Sequence, residues 1–252
     1  MYAYAITRKP GRNFHRGITT ANLGEPDFDL MVRQHEIYTE TLKTLGLEMI
    51  LLDPLDDCPD GYFVEDTAVV TPDIAIITNP GAPSRKSEIQ SIKNTLSEFL
   101  EIRQITAPGT LDGGDVLQVE KHYFIGISNR TNRGGADQLG SILEKHGYGW
   151  SSVEVKGGLH LKSFVNYIGD NTLVTTNGYE GLEDFMPYKK IALDPDEAPA
   201  ANSLWINCHL LVPYGFSTAA EKLNAAGIPI IQIDVSEAQK MDGGLTCMSL
   251  RF

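Results

Sequence analysis

The chain has 252 residues, enough for one large domain or two modest ones, with 42% hydrophobic and 21% charged residues. Those fractions are ordinary for a globular protein that buries a sizeable core. The formal net charge of -12 argues against nucleic acid and anionic membrane surfaces as partners, because both are recognised through Lys and Arg patches; it is compatible with a cationic small molecule, a solvated acidic surface being the commoner reading.

Along the chain, Phe28, Met31, His35, Tyr38, Leu42 and Leu45 step by three and four and predict a helical face, followed by a strand over Met49 to Leu52. Next comes a pair of apolar strands, Thr67 to Val70 and Ile74 to Ile77, turning at Pro72-Asp73. A helix through Ile89, Ile92, Leu96, Phe99 and Leu100 follows, with Ser87 expected as its N-cap, and then a strand at Ile102 to Ile105. The pattern returns as Asp115 to Val119 and Tyr123 to Ile127, a helix from Gly135 to His146, and a strand at Ser152 to Val155. It returns again as Phe164 to Ile168 and Thr172 to Thr175. The next copy is Leu204 to Asn207 bending into His209 to Val212, a helix from Thr218 to Ala226, and a strand at Ile228 to Ile231. The last strand, Leu245 to Leu250, is expected to pair with the first, Tyr2 to Ile6.

The unit is therefore strand, strand, helix, strand, recurring about every 40 to 50 residues. Four copies are legible and the chain ends supply the halves of a fifth, which predicts a ring with turns from every unit pointing at one axis. An open α/β sheet of regular spacing is the plainer alternative. No Pro- or Ser-rich linker interrupts the pattern, so one domain over 1–252 is expected.

The start, Met1 to Pro10, has no long apolar core and no small-residue cleavage pattern, and no apolar run approaches the ~18 residues of a membrane helix. Cys58, Cys208 and Cys247 show no Cys-x-x-Cys spacing. A reducing, cytoplasmic setting is the expectation. The sequon at Asn129-Arg130-Thr131 then reads as coincidence.

If the turns meet at an axis, Glu65-Asp66, Asp112, His160 and Cys247 face one another. Paired carboxylate oxygens match the forked N–H donors of a guanidinium. A thiol attacks as thiolate and needs a cation or base nearby. A histidine can protonate a leaving amine and afterwards deprotonate water. Each residue type has a plainer reading, since a lone strand cysteine is usually a small buried hydrophobe. Cys247 is set apart by Asp242-Gly243-Gly244 and His160 by Gly157-Gly158. Cys208 and His209 are adjacent and would point to opposite faces of a strand, and Cys58 sits in an acidic loop, so both thiols read as inert. His35 reads as part of a helix face, and His15, His122 and His146 as turn or helix-end residues. Arg85 and Arg130 matter only for a substrate that carries a carboxylate. His-Glu-x-x-His, Cys pairs, EF-hand spacing, a Walker A loop and Gly-x-Gly-x-x-Gly are all absent, so no metal and no cofactor is expected.

These residues resemble the pentein superfamily of guanidine-modifying enzymes, with dimethylarginine dimethylaminohydrolases of bacteria as the nearest pattern. The motifs are Asp60-Gly-Tyr-Phe-Val-Glu65-Asp66-Thr, Leu111-Asp112-Gly-Gly-Asp115, Ser128-Asn-Arg130-Thr-Asn, Leu159-His160-Leu-Lys-Ser and Asp242-Gly-Gly-Leu-Thr-Cys247-Met-Ser-Leu-Arg. The resemblance implies a five-bladed α/β propeller built from pseudo-fivefold ββαβ repeats. It implies Cys247 as nucleophile, His160 as general acid/base, Asp66 as the guanidinium ligand and Asp112 as a support for histidine or substrate. Several bacterial relatives carry Glu where this chain has Asp112, which leaves the role of the shorter side chain open. Glu65, Asp60, Arg85 and Arg130 match positions that hold the substrate's amino-acid end, with backbone contacts near Ile18 and Met241. The loop around Ile18 is implied as a lid, with Gly17 and Gly24 suited to its motion. The expected partner is a guanidino amino acid, and the oligomeric state stays open between a monomer and a homodimer. The alternatives are an arginine deiminase-like or amidinotransferase-like enzyme and, in another class, a non-catalytic pentein binding module.

Overall fold

Five three-stranded sheets form in the computed structural model, which describes residues 1–252. Strands β1 (Tyr4–Arg8) and β2 (Glu48–Leu52) begin the first. The second holds β3 (Ala68–Val70), β4 (Ile74–Ile77) and β5 (Glu101–Gln104), and the third β6 (Val116–Val119), β7 (His122–Ile127) and β8 (Gly149–Glu154). The fourth holds β9 (Val165–Tyr167), β10 (Thr172–Thr175) and β11 (Lys189–Ala192), and the fifth β12 (Leu204–Ile206), β13 (His209–Pro213) and β14 (Ile230–Ile233). Strand β15 (Leu250–Arg251) then returns to complete the first sheet beside β1. In every sheet the middle strand pairs antiparallel with one neighbour and parallel with the other. Parallel pairing demands a crossover connection, which explains where the helices fall. Helices α1 (Phe28–Thr44), α2 (Ile89–Leu96), α3 (Arg133–Lys145) and α4 (Ser217–Ala225) make it in four units, and a short α5 (Ser236–Gln239) precedes the last turn.

Ring closure follows from the apolar seams. Five buried clusters exist, each built from two neighbouring sheets. One joins the fifth sheet to the first, through Leu204, Ile206 and Leu211 against Ala5 and the α1 residues Met31, Tyr38 and Leu42. An open row of five sheets has only four seams, so the fifth seam excludes the open-sheet alternative. Middle strands β4 and β10 are buried along their whole length, as their unbroken apolar runs require.

The structure corrects several local expectations. Ser87 does not cap α2. The helix starts at Ile89, Glu88 in the cap position turns its carboxylate to Arg85, and Ser87 Oγ lies 3.1 Å from Cys58 Sγ. Helix α3 begins two residues earlier than the periodicity predicts, because Asn132 Oδ1 accepts from the Gly135 N–H at 2.8 Å. The bend after Ile206 is a two-residue hairpin turn in which Asn207 and Cys208 both hold positive φ (42° and 71°). The fourth unit has no α-helix. Two 3-10 turns, Tyr179–Gly181 and Glu183–Phe185, replace it, and buried Tyr179 and Phe185 supply the apolar contacts. Its outer strand β11 was not legible in the sequence. Finally, Cys247 lies in a turn ahead of β15 and not on a strand.

Candidate active site

Each strand nearest the ring centre is preceded by a tight turn. Four are 3-10 turns, Val64–Thr67, Gly113–Asp115, Leu161–Ser163 and Pro195–Ala201, and the fifth is the turn carrying Cys247. Hydrogen bonds join these turns into a closed circle. Gly114 N–H donates to Asp66 Oδ1 (2.8 Å), Leu161 N–H to Asp115 Oδ1 (2.9 Å) and Asn202 Nδ2 to the Lys162 carbonyl (3.4 Å). Thr246 N–H donates to Asn202 Oδ1 (3.0 Å), and Glu65 N–H to the Cys247 carbonyl (3.1 Å). The axis predicted from the repeat is thus a set of five mutually bonded turns.

His160 sits between two carboxylates. Its Nε2 is 3.1 Å from Asp112 Oδ2 and its Nδ1 is 3.9 Å from Asp66 Oδ1. A Cβ at Gly114 would lie 2.5 Å from His160 Nδ1 and 2.8 Å from Asp66 Oδ1, so only glycine lets this turn approach both groups. Burial disfavours charge on the imidazole, but Asp66 and Asp112 outweigh it and raise the pKa to about 9. Burial alone would raise Asp66, yet His160 and Arg85 reverse that and hold it at about 2. Asp112 is also fixed by the Gly81 N–H at 2.8 Å and faces Arg130 Nη1 at 3.5 Å. Burial, then the Glu65 and Asp66 carboxylates, push the Cys247 thiol up to about 12.

Cys247, His160, Asp66, Asp60, Arg85, Arg130, Ile18 and Met241 all line one narrow cleft of about 20 Å³, and Asp112 backs it through His160. Arg85 is buried there and donates to Asp66, Glu88 and the Phe63 carbonyl. The loop around Ile18 closes over the cleft. Asp60 accepts from the Ile18 N–H with both oxygens (3.1 and 3.2 Å), and Thr20 Oγ1 donates to Asp242 at 3.0 Å. A Cβ on Gly17 would stand 2.3 Å from Asp60 Oδ1, so a larger residue there would displace the Asp60 carboxylate from the Ile18 N–H. Asp66, Asp112 and His160 form one group whose ligand atoms, all within 4.8 Å, could hold a metal ion.

Glu65 departs from its expected place at the substrate's amino-acid end. Its side chain turns to the opposite side of the Cys247 turn, where it meets Lys162, Thr246 and Arg251. Together with Tyr123 these line a separate axial cavity of about 120 Å³. That cavity is the larger of the two, but neither Cys247 nor His160 lines it; both line the narrow cleft. Sequence reading missed Asn202, whose Nδ2 lies 3.9 Å from Cys247 Sγ. Its signal was position, since it precedes β12 as Asp66 precedes β3.

The ring and its axial turns define the pentein fold, shared with an arginine dihydrolase N-terminal domain of cyanobacteria at a TM-score of 0.88 and 17% identity, covering 98% of this chain and 97% of that one. No family model matches the chain. It is 39% identical to the N(G),N(G)-dimethylarginine dimethylaminohydrolase of Pseudomonas aeruginosa over 100% of both chains. It is 34% identical to the protein of the same name from Streptomyces coelicolor, over 98% of this chain and 96% of the other. The chain belongs to the dimethylarginine dimethylaminohydrolase family. A cysteine-to-serine variant of the P. aeruginosa enzyme, solved with citrulline, superposes with a TM-score of 0.98 at 38% identity over 100% of both chains. No helix is long and apolar enough to cross a membrane.

Proposed function

We propose that the chain hydrolyses Nω,Nω-dimethylarginine to citrulline and dimethylamine through a covalent intermediate on Cys247. One observation carries the reading. A buried imidazole stands between the carboxylates of Asp66 and Asp112, in the cleft that Cys247 also lines. The family's full-length relatives favour the methylated substrate.

Asp66 takes the guanidinium through its forked N–H donors. Arg130 and Arg85 serve the substrate carboxylate, and Asp60 with the backbone near Ile18 and Met241 serves the ammonium. Burial and the nearby carboxylates keep the thiol protonated in the free protein. The arriving cation stabilises the thiolate, so the thiol proton leaves to solvent as the substrate binds, and it makes the guanidinium carbon electrophilic. The S–C bond forms, giving a tetrahedral adduct. His160 passes its proton to the dimethylamine nitrogen as that C–N bond breaks, leaving a thiouronium on Cys247. Neutral His160 then takes a proton from water, hydroxide adds to the thiouronium carbon, and C–S cleavage, with the adduct's hydroxyl proton passing to sulfur, releases citrulline and restores the thiol. Asp112 supports the charged imidazole in both halves. Positioning and proton transfer each lower the barrier by several kcal/mol, roughly.

Purified protein given dimethylarginine should release equal amounts of citrulline and dimethylamine, quantified by mass spectrometry without added metal. Cys247→Ser should cut turnover by at least ~10⁴-fold. Citrulline formed from unmethylated arginine alone would overturn the substrate assignment, and wild-type turnover by the serine variant would overturn the nucleophile.

A further inference from the structure

Glu65 is 3% exposed and its carboxylate is fully used. Oε1 accepts from Lys162 Nζ at 2.6 Å and from Arg251 Nη2 at 3.2 Å, while Oε2 accepts from Thr246 Oγ1 at 2.7 Å. These partners have a common property in the sequence. Glu65 directly precedes Asp66, Lys162 follows His160 by two residues, and Thr246 directly precedes Cys247. Arg251 also donates to the Thr246 carbonyl at 3.0 Å and to Ser249 Oγ at 2.9 Å, closing the turn from below. One buried carboxylate therefore ties together the three turns that present the guanidinium ligand, the acid/base and the nucleophile. None of Glu65, Lys162, Thr246 and Arg251 lines the substrate cleft.

A buried ion cluster is weak support for stability, because desolvation offsets most of the Coulomb gain, but it can fix geometry. We infer that Glu65 is the positioning residue of the nucleophile, gripping Thr246 so that the Cys247 turn is held in register with His160 and Asp66. The cluster also sets the charge behind the sulfur. The Glu65 carboxylate opposes a thiolate, and the Lys162 ammonium favours one. Glu65→Gln keeps the shape and an acceptor for Thr246 while removing the charge; Thr246→Val keeps the shape and removes the hydroxyl.

The inference rests on the proposed hydrolase reading, and two readouts separate the two. The first is steady-state kinetics with dimethylarginine. Thr246→Val should lower kcat about 10- to 100-fold with KM within about threefold, the scale of one hydrogen bond to a charged group, and Thr246→Ser should restore it. The second is carbamidomethylation of Cys247 by iodoacetamide across pH, followed by peptide mass mapping, which needs no substrate. Glu65→Gln should shift that profile to lower pH and Lys162→Met to higher pH, in variants whose thermal melting stays cooperative. An alkylation profile unmoved by either charge change, or an unchanged kcat in Thr246→Val, would overturn the inference. A raised KM at constant kcat in Glu65→Gln would overturn it in favour of direct substrate contact. Opposite alkylation shifts without dimethylarginine turnover would support the charge coupling and sink the substrate assignment.

Discussion

Glu65 and Asp66 are neighbours in one 3-10 turn, yet they serve opposite faces of the axis. On the cleft face Asp66 meets Arg85 and His160; on the far face Glu65 meets Lys162, Thr246 and Arg251. Both carboxylates are buried and both are paired with cations. The difference lies in what those cations can leave. Arg85 has Glu88 and two backbone carbonyls as further acceptors, so Asp66 can turn toward another guanidinium without stranding a charge. Glu65 has no such freedom, because its hydroxyl partner, Thr246, belongs to the turn that carries Cys247. One carboxylate is placed for exchange and the other for permanence.

The strongest way to break this comparison is on the cleft face. His160→Gly should lower kcat about 10³-fold, the loss expected of a general acid and base, while Cys247 still alkylates. Rapid-quench comparison of dimethylamine release, the first half-reaction, with citrulline formation, the second, checks whether both slow. A histidine variant with near-normal turnover would remove the imidazolium from the cleft's chemistry.

A pH profile sharpens the same contrast. His160 carries its proton up to about 9, so kcat/KM for dimethylarginine should fall as pH rises through that value. The sign extends to stability. A raised folded pKa contributes below the ordinary histidine value and is lost as pH climbs through the folded one. Chemical denaturation at pH 6 and pH 10, comparing the wild type with His160→Gly, should show the wild type losing more. The smallest effect belongs to the loop. Asp60→Asn weakens the acceptor for the Ile18 N–H and should raise KM about three- to tenfold, the scale of one hydrogen bond. Amide hydrogen exchange over residues 17–24 should quicken in parallel.

Much of this was readable before any coordinates. The apolar pairs at 68–77, 116–127 and 165–175 and the helical faces after them encode the repeat, because alternation and helical spacing are local signals. Asp66, Asp112, His160 and Cys247 were legible from their shared place in successive units. Glu65 was not. In a 3-10 turn successive side chains diverge by about 120°, so adjacency in sequence says nothing about a shared face. Asn202 was missed because a single amide before a strand has no chemical signature. The helix absent from the fourth unit also escaped, since two short turns with buried Tyr179 and Phe185 leave no periodicity to count. Ser87 failed as a cap because Cys58, distant in sequence, competes for its hydroxyl.

The ring is sealed by β15, only two residues long, lying against β1 with Ala5 opposite Arg251 and Ile6 opposite Leu250. Cys247 stands just upstream of that joint. Folding must therefore bring together segments from the two ends of the chain before the thiol meets its partners, an entropic cost that comes late. The joint that completes the first sheet therefore also fixes the end of the turn that carries Cys247, so ring closure and the placing of the thiol depend on the same short pairing.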